Sequence, residues 1–540
     1  MTMTDQSAEQ AAAIERLQAV GKPNSMQLLV HALRLLDGGD DAGREQAVSI
    51  ISDLLTLQVA DESDALYGQF PMRPGRGTGD LNACVFLLPG LLDAIECHSE
   101  RLPAGLPQRI DRAARRALVA AERRWDEEVF DPHRDHKGYT NVFLLYIQAL
   151  LLAGLHYQDA RLLRMAEGQW KRWFNHTAHG GIDEFVSSTY HNVDYEALRR
   201  IHACAPDAEM KRQAKLVLDY FITMACAVTH PLLEMAVCGS SRDYRLFLTN
   251  PHFEMACVTD EGDMQYQPPA AVKAAYRNRQ FPYEASGRAT SVPFLFQSWQ
   301  LERAALGSAT GGNYFWQQIH CLAAAGESAE RREVVFLPGS YTITNGFVRQ
   351  RQGRALCLYA REPNTFLRTQ RLRADDQIAD AFGNLGVGMT DGWRVSQEDG
   401  RLTLTAYGHT VTLDPFVIED GQINTTVLSP TRRDNLSQGG RFHDTPVDLQ
   451  EWLFPDGPRW PGCLVQLTAE GQPAPKPAFR CRLTDEQLEV IAGDLAVRLF
   501  RNPAGSVTEL YERDPRTLPL LDCPEGTFWP GELAARAISS

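Results

Sequence analysis

The chain has 540 residues, 44% of them hydrophobic and 23% charged, with Lys plus Arg 54 against Asp plus Glu 68 and a net charge of −14. A chain of that length holds about two to four domains, and the composition is that of a globular protein. The negative balance and the lack of a basic run exclude nucleic acid as an expected partner, and no apolar run approaches the roughly 18 residues of a membrane span.

The first residues, MTMTDQSAEQAAAIERLQAV, carry an acid early and no apolar core run, so no secretory leader is expected. Eleven cysteines lie singly, without a Cys-x-x-Cys pair. That argues against a zinc ribbon or a disulfide framework and for a reducing, cytoplasmic setting. Ser25 precedes MQLLVHALRLLDGG and Arg44 precedes EQAVSIISDLLTLQVA, both with apolar residues at helical spacing. Gly38 and Gly39 end the first of these helices. The Gly-, Pro- and Arg-rich stretch from Tyr67 to Gly79 reads as a loop. It opens into a helix that Asp80 can cap, with Asn82 just inside, and it contains no phosphate-binding glycine motif.

PAGLPQRIDRAARRALVAAERRWDEEVF is amphipathic, whereas HKGYTNVFLLYIQALLLAGLHY starts with Tyr139 and Asn141 and becomes nearly all apolar. A helix apolar on every side is buried on every side. Charged helices outside apolar ones, joined by short loops and without a fixed repeat, predict an α/α toroid over residues 1–235. Residues 236–287 read as an irregular connector over a cleft. From about Arg288 the period falls to two, with turns at Asp391-Gly392, Asp456-Gly457 and Glu470-Gly471, which predicts a large antiparallel β-sandwich over 288–540. The fold class is therefore α+β and multidomain.

The densest run of polar and aromatic residues is NHTAHGGIDEFVSSTYHNVDYEAL, Asn175 to Leu198. A loop between two helices is where scaffolds carry binding and catalytic groups. Ser187, Ser188 or Thr189 can cap the second helix, with Asp194 in its early turn. Capping leaves Glu184, Tyr190 and His191 unexplained. His176, His179 and His191 lack the spacing of ligands on one helix face, so no metal is expected. No cofactor is expected either.

Glu184 to Tyr190, EFVSSTY, resembles a Glu-Phe-x-Ser-x-Thr-Tyr segment of toroid-plus-sandwich proteins. Gly239 to Tyr244, GSSRDY, resembles a Gly-x-x-Arg-x-Tyr segment that follows it in them. The architecture resembles the polysaccharide lyases of the heparinase, chondroitin and alginate type. That resemblance implies elimination of a C–O bond beside an acidic C–H in an oligosaccharide or other small polar metabolite. It implies acid–base roles for Tyr190 and His191, and anion stabilisation by Asn141, Arg242 and Tyr244. Asp80, Asn82, His176, Ser188 and Asp194 are the expected substrate-binding residues. A developing enolate needs hydrogen-bonding or positive partners, and the base must lie within hydrogen-bond reach of the proton.

Two other readings stand beside this one. Glu184 with Asp194 or Asp80 supplies the paired carboxylates of a glycoside hydrolase. A pocket rich in aromatic residues without convergent titratable groups would make the chain a carbohydrate-binding protein. The oligomeric state is not written in the sequence.

Overall fold

Helix ends in the N-terminal part are set by the residue types that favour them. Asn24 accepts the Gln27 N–H at 2.8 Å at the start of α2 (Ser25–Gly38), and Gly39, at φ 87°, ends it. Asp40 caps α3 (Asp41–Thr56) in the same way through the Gly43 N–H. Described in this computed structural model are residues 3–22, 24–78, 80–126, 140–180, 182, 187, 190–239, 266–289, 294–311, 319–338, 344–363, 385–419, 421–425, 431–432, 441–442, 445–452, 460–472, 474–484, 487–501, 507–509 and 532–537.

The helices continue with α4 (Ala83–His98), α5 (Leu106–Asp126), α6 (Thr140–His156), α7 (Ala160–Gly180), α8 (His191–Cys204) and α9 (Ala208–Val228), after α1 (Met3–Ala19). No helix among the described residues is long and apolar enough to cross a membrane. As its continuous apolar pattern requires, α6 is buried almost all round, from Thr140 to Gly154. α2 packs on α4 and α4 on α6, while α1 packs on α3 and α3 on α5. These are the inner and outer layers of an α/α toroid.

Polar pairs join the C-terminal halves of the inner helices. His98 of α4 meets Asp37 of α2 at 3.6 Å, and His156 of α6 meets Glu96 of α4 at 2.9 Å. Arg200 of α8 pairs with Asp93 of α4. Hence α2, α4 and α6 run parallel, with their N-termini at one end. The chain divides into two units, Met1–Asn175 with Glu196–Ala214, and His176–Tyr195 with Lys215–Ser540.

The second unit is antiparallel in every ladder among the described residues. One sheet contains β3 (Tyr283–Ala289), β4 (Phe294–Gln300), β5 (Ala304–Gly311), β6 (Ile319–Gly326), β7 (Arg332–Pro338), β10 (Leu385–Thr390), β15 (Thr431–Arg432), β16 (Arg441–Phe442), β17 (Thr445–Trp452) and β23 (Glu532–Ala537). A second contains β8 (Thr344–Arg351), β9 (Arg354–Pro363), β11 (Arg394–Glu398), β12 (Arg401–Ala406), β13 (His409–Glu419), β14 (Gln422–Asn424) and β18 (Trp460–Ala469). They face each other through Leu306, Cys321, Val335 and Met389 on one side and Cys357, Leu404, Val411 and Val465 on the other.

The outer face of the second sheet is covered by a third, β19 (Phe479–Leu483), β20 (Gln487–Ala492), β21 (Leu495–Arg501) and β22 (Val507–Glu509). Leu356, Phe416 and Leu464 meet Leu488, Val490 and Val497 there. The outer face of the first sheet is covered by β1 (Thr229–His230), β2 (Met235–Ala236) and the residues beside them, with Leu233, Met235 and Val237 packed on Leu322, Ala324 and Phe336. Gly307 makes that approach possible: a Cβ there would lie 2.4 Å from the Val237 carbonyl oxygen.

The last carbonyls of a helix have no partner within it. At the end of α9 they are taken by Arg279, which follows α10 (Ala270–Arg277), and by buried Gln300 of β4. Arg279 Nη1 donates to Thr229 O at 2.6 Å and to Gln300 Oε1 at 2.7 Å, and Nη2 donates to Cys226 O. Gln300 Nε2 donates to Val228 O at 3.2 Å. The guanidinium lies 4.0 Å from the centre of the Tyr283 ring. A cation thus meets the negative end of the helix dipole and an aromatic face together.

His230 is fixed in one tautomer. Nε2 faces Leu301 O at 2.8 Å and must donate, while Nδ1 accepts the Leu232 and Leu233 N–H groups, both at 3.2 Å. Burial lowers its pKa to about 4, and burial likewise lowers that of His320 on β6 to about 4.

Arg279→Ala is expected to destabilise the second unit by about 3 kcal/mol, since buried carbonyls lose charged donors. Arg279→Lys should recover part of this, as measured by denaturant unfolding. Acid should also destabilise the fold. Between pH about 6.5 and about 4 the unfolded chain binds protons that His230 and His320 do not, so stability is complete above that window and falls as pH drops through it. His230→Gln should flatten the dependence of the melting temperature on pH; an unchanged slope would show that other groups set it.

Candidate functional site

In the first unit the polar candidates gather at the N-terminal ends of inner helices. Asp80 does not cap α4. The helix begins at Ala83, and the exposed Asp80 carboxylate accepts the Asn82 N–H at 3.1 Å, closing a turn ahead of it. Asn82 occupies the capping position, yet its side chain makes no capping bond. Its Oδ1 instead accepts from Arg124 Nε, in the last turn of α5, at 3.1 Å. Asn141 lies in the first turn of α6 and is 2% exposed.

In the second unit the start of α8 is built by Ser187. Its Oγ accepts the Tyr190 N–H at 3.1 Å, and its carbonyl accepts the His191 N–H at 3.0 Å. The Asp194 N–H then closes the next turn on Tyr190 O at 2.8 Å. The carboxylate of Asp194 is wholly buried in that first turn, where the helix dipole favours a negative charge. Tyr190 is half-buried, so its ring keeps contact with solvent.

His191 is buried against Phe221 of α9, ring centres 5.2 Å apart, and burial pushes its pKa down to about 3. It is a neutral imidazole throughout the physiological range. A group that weakly basic is a poor proton acceptor but a good fixed hydrogen-bonding partner.

Behind this turn lies a polar seam that sequence reasoning missed. Tyr195 of α8 meets Tyr266 edge-on, with centres 6.3 Å apart. Tyr266 Oη donates to Asp219 Oδ1 at 2.7 Å, and Lys215 Nζ donates to Asp219 Oδ2 at 2.8 Å. Tyr195 and Tyr266 are almost fully buried, and Asp219 is 6% exposed. The available signal was an Asp inside the apolar run LVLDYFITMACAV. Tyr266 and Arg124 carried none that can be read without contacts.

The structure therefore brings Ser187, Tyr190, His191 and Asp194 into one helix start, and Asn82 to Arg124. His176 lies near the end of α7, half-buried. Glu184, Ser188, Arg242 and Tyr244 fall outside the described residues, and with them the expected facing of Tyr190 and Arg242. Among the described residues no group of three or more His, Cys, Asp or Glu side chains is placed to hold a metal ion.

Residues 1–250 match the model of a family described as a domain of unknown function (DUF8769). No curated protein matches the chain. Among solved structures, a heparan sulfate lyase HepC mutant from Pedobacter heparinus is 10% identical, with a TM-score of 0.34 over 89% of this chain and 81% of that one. A heparinase III described as the BT4657 gene product is 8% identical, with a TM-score of 0.30 over 88% of this chain and 80% of that one. A further heparinase III structure is also 8% identical at a TM-score of 0.30, over 89% and 81%. Likenesses this distant carry no argument about chemistry.

The seam can be tested by a double-mutant cycle. Tyr266→Phe should cost about 1–2 kcal/mol, because it strips a donor from a buried carboxylate oxygen. Combined with Asp219→Asn it should show a coupling of about 1 kcal/mol or more in unfolding experiments. Additive costs would mean that the pair contributes nothing as a pair.

Proposed function

We propose that the chain is a carbon–oxygen lyase acting on an acidic oligosaccharide or a similar small polar metabolite. The observation that carries this reading is the start of α8. A half-buried tyrosine sits on a turn whose neighbours His191, Asp194 and Tyr195, with Asp219 and Tyr266 behind them, are buried polar groups. Burying such groups costs stability, and proteins accept that cost most often where a site must be held rigid.

In this reading Tyr190 is the acid–base group. As the phenolate it takes the proton from the carbon beside the carboxylate. The electron pair forms the new C=C bond, and the C–O bond to the leaving sugar breaks. The leaving oxygen then takes a proton, which a tyrosine that has just gained one can supply. His191 supports it as a neutral imidazole rather than as a second base, a narrower role than the sequence alone suggests. Asn141, Arg242 and Tyr244 are the anion-stabilising residues of the proposal on the strength of the sequence resemblance alone.

The test is to incubate the chain with uronate-containing and neutral oligosaccharides. An unsaturated product absorbing in the ultraviolet is expected from the first set and not from the second. Tyr190→Phe should lower its rate by about 100-fold or more, with an unchanged melting temperature. Reducing ends without that absorbance would assign the chain to hydrolysis, with Asp194 as one carboxylate of the pair. Binding without turnover would make it a carbohydrate-binding protein.

A further inference from the structure

The second sheet of the second unit ends on β11, and that edge is open. Among the described residues β11 pairs with β12 alone, and all five of its residues, Arg394 to Glu398, are exposed. Its hairpin partner differs, because Leu402 and Leu404 of β12 are buried in the core between the sheets. Val395 stands opposite Leu404, yet it is 49% exposed. At the other edge of the same sheet, β8 packs on β5, and its Gln350 N–H donates to Gln297 Oε1 of β4 at 3.1 Å. Among the described residues no side chain serves the backbone of β11 in that way.

The register fixes which backbone groups are left over. Asp399 and Gly400, at φ 49° and 77°, form the two-residue turn between β11 and β12. Positive φ at both is the type I′ hairpin turn, whose own hydrogen bond joins Glu398 and Arg401. Bonded pairs alternate along an antiparallel ladder. Ser396 and Arg394 therefore also bond to β12, while Val395 and Gln397 turn their N–H and C=O groups outward. Exposed groups of that kind are a template for another strand.

Charge normally protects such an edge, because like charges directly opposite one another repel. Here the signs are arranged the other way. The strand reads Arg-Val-Ser-Gln-Glu. Antiparallel pairing of two copies about Ser396 sets Val395 against Gln397, so the outward groups bond in pairs. The same register sets Arg394 against Glu398 at both ends, on one face and at the closely spaced, non-bonded positions. Neighbouring registers lose both charge contacts. Arg394 bridges Glu470 of its own chain but is 73% exposed, so its guanidinium can meet a second carboxylate.

We infer that β11 is a self-association edge, through which two copies of the chain join their second sheets across a two-fold axis. The axis passes beside Ser396, and the contact is isologous, each copy giving the same five residues. A strand pair of this length is smaller than the roughly 1,600 Å² of a standard interface, so the dimer is weak and concentration-dependent. The inference is independent of the lyase reading.

The experiment is sedimentation velocity across a range of concentrations, with charge reversals at the two ends of the strand. The wild-type mass should climb toward that of two chains as concentration rises. Arg394→Glu and Glu398→Arg each replace two opposite-charge contacts with two like-charge ones, and each should weaken association by about tenfold or more. Mixed together, the two single variants carry complementary edges and should associate as the wild type does. So should the double variant, Arg394→Glu with Glu398→Arg, although it lacks the bridge to Glu470. Val395→Pro removes an outward N–H without breaking a bond to β12, a change an edge strand tolerates, and should also abolish association. The melting temperature checks that each variant folds. A wild type at single-chain mass up to about 200 µM overturns the inference, as does a dimer indifferent to these changes. Single reversals that weaken association with no recovery in the mixture or the double variant also overturn it, because the contact is then with a different surface. Should a single reversal not fold, the double variant and Val395→Pro still decide it, since the first must associate and the second must not.

Discussion

The end of α9 is the junction on which the second unit depends. A long helix stops against a sheet, and its final carbonyls must be satisfied in a place that water does not reach. Arg279 and Gln300 do this together, and the Val237 N–H adds a bond to Val228 O at 2.9 Å. The same guanidinium stacks on Tyr283 of β3, so one side chain ties a helix, a loop and two strands of the first sheet. Because α9 also carries Asp219 and Phe221, the position of the buried groups behind Tyr190 follows from how that helix is anchored.

Rigidity at the start of α8 comes from the same logic at smaller scale. Ser187 fixes the turn, His191 is locked neutral against Phe221, and both carboxylate oxygens of Asp219 are occupied by Tyr266 and Lys215. A partly satisfied buried network would be worse than an apolar one. Among the described residues of this turn, Tyr190 is half-buried whereas Ser187, His191 and Asp194 are buried.

Fold class was legible in the sequence because burial leaves a period. The run NVFLLYIQALLLAG could only be an inner helix, and it is one. RLTLTA and QLEVIA alternate, and both strands bury every second residue. HTVTLDPFVIE does not alternate and is buried along nearly its whole length, because β13 belongs to a sheet covered on both faces. The third sheet was therefore hinted at but not read. Contacts between residues far apart in sequence left no such trace. Arg124 is one of several arginines on an amphipathic helix, and nothing in the sequence marks it as the one bonded to Asn82. Asp80 looked like a cap because its residue type suits one, whereas the helix starts later and the carboxylate serves the turn before it.

A net charge of −14 counts against polyanionic substrates only over long distances. At physiological salt the field of exposed charges fades within about 8 Å, so what a bound group feels is set by its nearest partners. Parallel helix ends can make a locally positive place in a negative protein, and field lines concentrate where the surrounding walls are apolar. The global charge then works as a filter. It slows the approach of long polyanions, whose many charges are repelled together, and acts far less on a short acid with one or two carboxylates. A preference for short acidic oligosaccharides over long chains, weakening as salt is raised, is the signature that separates a local site from a steering surface.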